Sequence, residues 1–341
     1  MPALPLVQML SAARPAVLYS DGIGDLVMSL PTLRALSRLL GGRTVFVGSS
    51  RSLEVLNAEG IAAELVPRLD DPCATAQLLE RCDLLILADP GEQGSYVEQV
   101  RSVLQPTWSV GWLSGCEVML TRNDQLHFTD EVFQAATVFD RALRVESFAG
   151  PPLLALKEMD FAAALRRDCE GYRCFVVHCE TGAPKMWPIT AFRCLLETLL
   201  SLLEDVIVLV VGVRSYGLDH IANGDRVVSC EGLSLAKSMA LVGCADGFIG
   251  VDSSMLHVAD LFRVPAVALF GPTDPYRWGC RFTAHEHVRV RGRRLDALEV
   301  GDVMAAVSDL LRRSDPQTHE RLANFRQAAN RRTENKAGST K

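Results

Sequence analysis

Residues 250–273 read GVDSSMLHVADLFRVPAVALFGPT, the clearest strand–turn–helix–strand pattern in the chain. It predicts a buried strand that ends before Asp252, a turn of small residues, a helix, and a second strand that ends at Gly271 and Pro272. A turn of Asp and Ser residues at a helix N-terminus offers free backbone N–H groups at the positive end of the helix dipole. Because such turns bind anions, the stretch predicts a phosphorylated ligand.

The composition is that of a globular protein with room for two domains. The chain has 341 residues, of which 48% are hydrophobic and 22% are charged, and this length suits two domains of ordinary size. Its net charge of −6 argues against a nucleic-acid partner, because nucleic-acid-binding proteins carry a basic face. The longest apolar run, residues 206–213, is far too short to cross a bilayer, which leaves open only a peripheral membrane contact.

The cysteines and the N-terminus predict a cytoplasmic location. The ten cysteines include no CxxC pair, and Cys169, Cys174 and Cys179 do not have a usual zinc spacing. Residues 1–10 are apolar but lack the basic segment that begins a secretory leader. Free thiols without a leader indicate a reducing compartment, so we expect a cytoplasmic protein whose membrane contact, if any, is at the inner face of the cytoplasmic membrane.

Short apolar strands alternate with helices in both halves of the chain. Strands are predicted at residues 16–19, 44–47, 84–87, 110–112, 175–178, 206–211, 227–228, 247–251 and 266–270. This alternation predicts an α/β fold with parallel sheets covered by helices on both faces. Gly150 and the two prolines after it form the best candidate linker. We therefore predict two doubly wound, Rossmann-like domains that face each other across a cleft, over residues 1–150 and 151–315, and a C-terminal helix and disordered tail over 316–341.

The first candidate site follows the first predicted strand. Residues 22–25 read GIGD, and the glycines Gly22 and Gly24 allow another group to approach the backbone closely. The dinucleotide-binding motif GxGxxG is excluded, because its last glycine would fall on Val27. Asp25 is either a base that takes a proton from a substrate hydroxyl or the N-cap of the helix that follows.

The second candidate site follows the strand at residues 175–178. A loop of small and polar residues, read as HCETGAPKMWP, contains Thr181 and Lys185 and leads into a helix. Lys185 is either a mobile point charge that pairs with a phosphate or an exposed surface lysine. Trp187 is interpreted as a packing residue at the helix start, and Pro188 suits the first helical position.

The third and fourth candidate sites lie within residues 250–273. Asp252 begins the turn of small residues, and His257 lies about one helical turn further on, where it either donates to a phosphate or serves as a structural histidine. Thr273 follows the last strand and either offers its hydroxyl to the same anion or belongs to an ordinary turn. The sequence has no HExxH, Walker or EF-hand spacing, and we expect no bound metal.

Together these motifs resemble the bacterial heptosyltransferases, glycosyltransferase family 9. The similarity lies in GIGDLVMSLPTLRAL, in GAPKMWPITAFRCLL, and in a long run from LSLAKSMALVGCADGFIGVDSSMLHV to ALFGPTDPYRW. The resemblance implies a GT-B fold, in which the N-terminal domain holds the acceptor and the C-terminal domain holds a nucleotide sugar. It also implies an inverting, metal-independent transfer of heptose from ADP-heptose to a glycolipid such as lipopolysaccharide core, with no cofactor besides the donor.

The resemblance assigns roles to the candidate residues. Asp25 matches the catalytic base, and Gly22 and Gly24 lie in the loop on the acceptor side. Lys185 matches a lysine that contacts the donor diphosphate, and Thr181 lies on the loop before it. The donor-binding residues are then Thr181, Lys185, Asp252, Ser253, Ser254, His257 and Thr273. Thr273 is assigned from its position after the last strand.

Two positions depart from the family pattern. The turn at residues 212–217 contains no glutamate, although many members carry one there for the nucleotide ribose. Glu180 places a carboxylate where small hydroxyl residues are common beside the phosphate. The alternatives are therefore a different nucleotide sugar, a natural-product acceptor, or a non-catalytic protein that binds a sugar nucleotide on the same fold.

Overall fold

A computed structural model describes residues 3–19, 22–88, 95–290 and 294–314. The chain divides into two compact units, Met1–Leu156 and Lys157–Lys341. The tail predicted over residues 316–341 lies outside the described residues, as do residues 20 and 21 of the first glycine-containing turn. Within the described ranges, no helix is long and apolar enough to cross a membrane.

The first unit contains a six-stranded, all-parallel sheet with the order β3-β2-β1-β4-β5-β6. Its strands are β1 (Pro15–Leu18), β2 (Val45–Gly48), β3 (Glu64–Pro67), β4 (Leu84–Leu87), β5 (Trp108–Gly111) and β6 (Val118–Met119). Its helices are α1 (Ala3–Leu10), α2 (Ile23–Leu39), α3 (Ser50–Glu59), α4 (Pro72–Leu78), α5 (Ser95–Leu104) and α6 (Phe128–Thr137). Strands β1, β2 and β4 are buried along their whole length, because helices cover both faces of a parallel sheet.

The apolar spacing of residues 26–40 predicts a helix there, and helix α2 begins before that segment, at Ile23. A proline removes one intrahelical hydrogen bond, and we therefore expected Pro31 to start or kink this helix. Pro31 does not start the helix, because it is buried inside it. Burial of eleven α2 residues in the core compensates for the missing bond, since tertiary packing of an apolar face provides most of a helix's stability in proteins.

The second unit contains another six-stranded parallel sheet, with the order β12-β11-β10-β7-β8-β9. Its strands are β7 (Arg173–His178), β8 (Val206–Gly212), β9 (Val227–Glu231), β10 (Gly247–Val251), β11 (Ala266–Phe270) and β12 (His285–Arg289). Its helices are α7 (Leu156–Asp168, which begins at the last residue of the first unit), α8 (Ile189–Leu202), α9 (Leu235–Gly243), α10 (Ser254–Leu261), α11 (Pro275–Trp278) and α12 (Val300–Ser314). The two sheets confirm the predicted α/β class, with one doubly wound parallel sheet in each unit.

The segment proposed as a linker is bound to the first unit. Arg34 on α2 donates to the backbone oxygens of Gly150, at 2.7 Å, and Pro151, at 2.8 Å. Its guanidinium also pairs with Glu59, at 2.8 Å, and that carboxylate accepts the backbone N–H of Leu153, also at 2.8 Å. These bonds hold the segment against α2 and α3, and the division between the units follows at Leu156.

The register of the second sheet brings its loops together. His178 at the end of β7 pairs with Val211 on β8 and with Gly250 on β10. Val251, at the end of β10, pairs with Leu269 near the end of β11. Because all of these strands are parallel, the loops that follow them lie together at the carboxyl ends of the strands, where ligands bind in open α/β sheets.

Candidate functional site

Asp252 is the centre of a polar cluster at the carboxyl ends of the strands of the second sheet. Its side chain is only 4% exposed. The Lys185 ammonium lies 3.1 Å from its Oδ2, and the Thr273 hydroxyl donates to the same oxygen at 2.7 Å. These three residues follow three neighbouring strands, β7, β10 and β11. The structure therefore brings together three of the residues that the sequence singled out separately.

Two further residues that the sequence assigned to the site lie next to Asp252. The Thr181 hydroxyl donates to the backbone oxygen of Asp252 at 2.8 Å, which joins the loop after β7 to the turn after β10. His257 lies on α10, and its Nε2 is 3.8 Å from Oδ1 of Asp252. The alternative that Lys185 is only a surface lysine is wrong, because its side chain is 30% exposed and paired with a buried carboxylate.

Ser253 is the N-cap of α10, but its hydroxyl does not cap the helix. It forms a hydrogen bond of 3.0 Å with Nδ1 of His178 instead. Ser254 is the first residue of the helix and is half-buried. The first backbone N–H groups of α10 thus donate no hydrogen bond to the Ser253 side chain, and groups of this kind bind anions at helix N-termini.

His178 was not predicted as a site residue. Burial lowers the pKa of its imidazole to about 4, although the nearby carboxylate of Glu180 acts in the opposite direction. The ring is therefore neutral at physiological pH and positions Ser253 without adding charge. In the sequence it is the last residue of an apolar strand, and nothing local indicates that it contacts a serine 75 positions later.

Glu180 does not face the position expected for a phosphate. Its carboxylate accepts the backbone N–H groups of Val213, at 2.6 Å, and Arg214, at 2.8 Å. A Cβ at Gly212 would lie 3.2 Å from the same carboxylate, so the glycine leaves room for this close approach. Glu180 therefore organises the turn after β8, the same turn that lacks the glutamate of the family pattern.

Trp187 anchors the loop that carries Lys185. Its indole is buried, donates from Nε1 to the backbone oxygen of Leu298 at 3.1 Å, and packs edge-on against Phe192 with the ring centroids 4.9 Å apart. The interpretation of Trp187 as a packing residue is confirmed. Pro188 was expected at the first helical position, but it is the N-cap of α8, whose first residue is Ile189.

A pocket of about 500 Å³ opens beside this loop and is lined by Ala183, Pro184, Met186–Ile189 and Arg294–Asp296. Neither Lys185 nor Asp252 lines it, and the apolar side chains of Trp187 and Leu295 form part of its wall. Recognition of an anion requires converging donors, and these lie around Asp252. We therefore place the candidate site at the Asp252 cluster and not in this pocket.

In the first unit, Asp25 lies in the first turn of α2 and is half-buried. The N-cap of the helix is Gly22, so the alternative that Asp25 is the N-cap is wrong. A Cβ at Gly22 would lie 2.5 Å from Oδ2 of Asp25, which shows that the carboxylate folds back over this glycine. Gly24, the second residue of α2, is half-buried beside it. The helix dipole favours the ionised carboxylate at this position.

Comparison with known proteins gives a family and a fold. The sequence profile of glycosyltransferase family 9 (heptosyltransferase) matches residues 125–302, slightly more than half of the chain. No curated protein matches the sequence.

Three solved structures have a similar fold. A family 9 glycosyl transferase from Veillonella parvula has a TM-score of 0.70 at 15% identity, covering 87% of this chain and 97% of its own. E. coli ADP-heptose lps heptosyltransferase II has a TM-score of 0.69 at 14% identity, covering 88% and 99%. E. coli heptosyltransferase WaaC, solved with ADP, has a TM-score of 0.63 at 17% identity, covering 86% and 99%.

Proposed function

The chain belongs to glycosyltransferase family 9, and on this premise we propose that it is an inverting, metal-independent heptosyltransferase. Its donor in this proposal is ADP-heptose, and its acceptor is a hydroxyl of a glycolipid or glycan such as lipopolysaccharide core. The observation that carries the proposal is the convergence of Lys185, Thr273 and Thr181 on Asp252 at the N-terminus of α10. This cluster supplies a cation and oriented backbone donors, the groups that a diphosphate requires.

The contacts of Asp252 suggest that it positions other groups and does not touch phosphate. A carboxylate repels a diphosphate, whereas its bonds to Lys185 and Thr273 hold both side chains in place. A lysine ammonium has three N–H donors, so the bond to Asp252 leaves donors for phosphate oxygens. In the proposed complex Lys185 therefore bridges Asp252 and the donor diphosphate.

The proposed reaction is a single displacement at the anomeric carbon of the donor sugar. Asp25 takes the proton of the acceptor hydroxyl as the oxygen bonds to that carbon. The bond from the anomeric carbon to the diphosphate breaks at the same time, and the transition state has oxocarbenium character. Negative charge builds on the departing nucleoside diphosphate, where Lys185 and the N-terminus of α10 stabilise it.

ADP is the favoured nucleotide because the structurally similar E. coli WaaC was solved with ADP. The turn after β8 favours a second candidate, a donor with another nucleotide. That turn lacks the glutamate of the family pattern, and the carboxylates bonded to it, those of Glu180 and Glu231, accept its backbone N–H groups. A family 9 enzyme with a different nucleotide sugar or a natural-product acceptor would keep the same fold and cluster.

The experiment that tests the proposal is calorimetric titration of the protein with ADP, UDP, GDP and dTDP in the absence of added metal. We expect ADP to bind most tightly, and Lys185→Ala to weaken it about 10- to 100-fold, the value of a charge-assisted hydrogen bond. Lys157→Ala is the matched control, because that side chain is 83% exposed on α7.

The outcomes separate the candidates. Preferential binding of ADP that is weakened in Lys185→Ala supports the proposed donor site, and the next experiment is then an ADP-heptose transfer assay. Tighter binding of another nucleotide would mean that the donor carries that nucleotide, while the assignment of the binding site would stand. Equal ADP affinity in Lys185→Ala and the native protein would contradict the assignment of the cluster.

A further inference from the structure

A second group of side chains with binding chemistry lies outside the Asp252 cluster. Cys280, His285 and His287 each present a ligand atom, and these three atoms lie within 4.8 Å of one another. Cys280 is buried and follows α11, while both histidines are half-buried on β12 at the edge of the sheet. The proposed transfer reaction uses none of the three.

Local geometry explains why the three side chains meet. Successive side chains of a strand point to opposite faces, so His285 and His287 share one face of β12. Their rings stack with centroids 4.1 Å apart and an interplanar angle of 19°. Gly279 allows the chain to pass close to them, because a Cβ there would lie 2.3 Å from Cε1 and 2.6 Å from Nε2 of His287.

The hydrogen bonds of the two rings identify one unprotonated nitrogen on each ring, the kind of atom that binds metals. Nδ1 of His285 lies 2.9 Å from the backbone oxygen of Thr283 and must donate to it, so the neutral ring carries no proton on Nε2. The backbone N–H of Cys280 donates to Nε2 of His287 at 3.0 Å, so this nitrogen also carries no proton. A histidine that ligates a metal typically donates its other ring N–H to an oxygen, as His285 does here.

From this arrangement we propose that Cys280, His285 and His287 bind one Zn²⁺ ion. Thiolate and neutral imidazole are the ligands that Zn²⁺ prefers, and three protein ligands leave one position of a tetrahedral ion for water. Bonds of roughly 2.0–2.3 Å hold the ligand atoms about 3.5 Å apart, so side chains whose ligand atoms now lie within 4.8 Å of one another rotate closer as the ion binds. The Cys280 thiol releases its proton to solvent as the Zn–S bond forms. Nε2 of His287 gives up its hydrogen bond from the Cys280 N–H and binds the ion with the same lone pair.

The ion would fasten the segment after β11 to the edge strand. That segment carries Thr273 and α11, and Asp274 at its N-cap already lies 3.5 Å from Arg289 on β12. The zinc site therefore stabilises the chain that follows Thr273 and takes no part in bond breaking. From the sequence we expected no metal, because the spacing of one cysteine and a His-x-His pair matches none of the zinc patterns sought there.

The test uses untagged, chelator-treated full-length protein titrated with Co²⁺ and then with Zn²⁺. We expect one Co²⁺ per chain with a thiolate-to-metal charge-transfer absorption, and complete displacement by one Zn²⁺. Cys280→Ser removes the charge-transfer absorption, and His285→Gln weakens Zn²⁺ binding by at least about tenfold. Zn²⁺ also raises the melting temperature of the native protein, because it binds only the folded site.

Two variants control for unspecific binding by thiols and imidazoles. Cys194→Ser removes an exposed cysteine on α8, and His220→Gln removes a histidine whose side chain is 83% exposed. Both should keep the absorption and the affinity of the native protein. If Cys280→Ser does not fold, His285→Gln at the sheet edge still provides the comparison. Absence of one-to-one binding, or a charge-transfer absorption that persists without Cys280, would overturn the proposal whatever the transferase activity proves to be.

Discussion

His178 shows how one buried residue supports the candidate site. Its neutral ring forms a hydrogen bond to Ser253 at the start of α10, and burial holds its pKa at about 4. An unfolded chain has an ordinary histidine pKa of about 6.5. Between these two values the unfolded state binds a proton that the folded state does not. Folding stability is therefore full above about pH 6.5 and falls as the pH decreases towards 4.

We predict that His178→Gln, which cannot titrate, loses this part of the pH dependence. Between pH 7 and pH 4.5 the native protein should lose about 2–3 kcal/mol more stability than the variant. The measurement is the urea midpoint of each protein at both pH values. Ser253→Ala is the control, because it removes the hydrogen bond but keeps the buried ring, and it should retain the native pH dependence. Parallel profiles for His178→Gln and the native protein would show that folding does not lower the pKa of His178.

At the scale of elements, the loops of the second unit are held by bonds between neighbouring strand ends. Glu180, after β7, receives two backbone N–H groups from the turn after β8, and Thr181 donates to the turn after β10. One short loop thus positions the turns on both sides of it. Since the candidate site is built from these turns, its geometry depends on this loop as much as on the residues that would touch a ligand.

We predict that Glu180→Ala loosens the turn at residues 212–214. Loss of a carboxylate that accepts two N–H groups should cost about 1–2 kcal/mol at this partly exposed position, and nucleotide affinity should fall several-fold. Urea denaturation and nucleotide calorimetry measure the two effects. Glu204→Ala is the matched control, because Glu204 is exposed and precedes β8 at its opposite end. Tighter nucleotide binding in Glu180→Ala would mean that the carboxylate repels the diphosphate after all.

The elements also show where sequence patterns succeed. Strands β4, β10 and β11 lie at the predicted residues, because each is a continuous run of buried apolar side chains. Strands β3 and β12 were not predicted, since each mixes charged and apolar residues and is partly exposed at a sheet edge. The Cys280–His285–His287 group includes two residues of such an edge strand, which explains why the sequence did not reveal it.

At the scale of the whole molecule, the family similarity is uneven. The profile of family 9 matches residues 125–302, which include all of β7–β12 and the Asp252 cluster. Most of the first unit, including Asp25, precedes the matched residues. The proposal therefore assigns donor binding to the matched unit and acceptor activation to the other.

This division predicts that Asp25→Asn separates binding from catalysis. Nucleotide affinity should stay within about twofold of the native value, because the donor site belongs to the second unit. The transfer rate should fall about 10²- to 10⁴-fold with loss of the general base. Asp130→Asn is the matched control, because it removes the same charge from the first turn of another helix of the first unit, α6. Equal losses of affinity and rate in Asp25→Asn would make Asp25 a structural residue.

The α/β class, the family and most of the residues of the Asp252 cluster can be predicted from the sequence. They follow from local patterns, namely short apolar strands, turns of small residues, and motifs contained in a single loop. Which of these residues meet is a property of the folded chain. Lys185 contacts a carboxylate 67 positions away, and Glu180 contacts backbone 33 positions away. Such contacts depend on the order and register of parallel strands, which long-range pairing sets and no local pattern encodes.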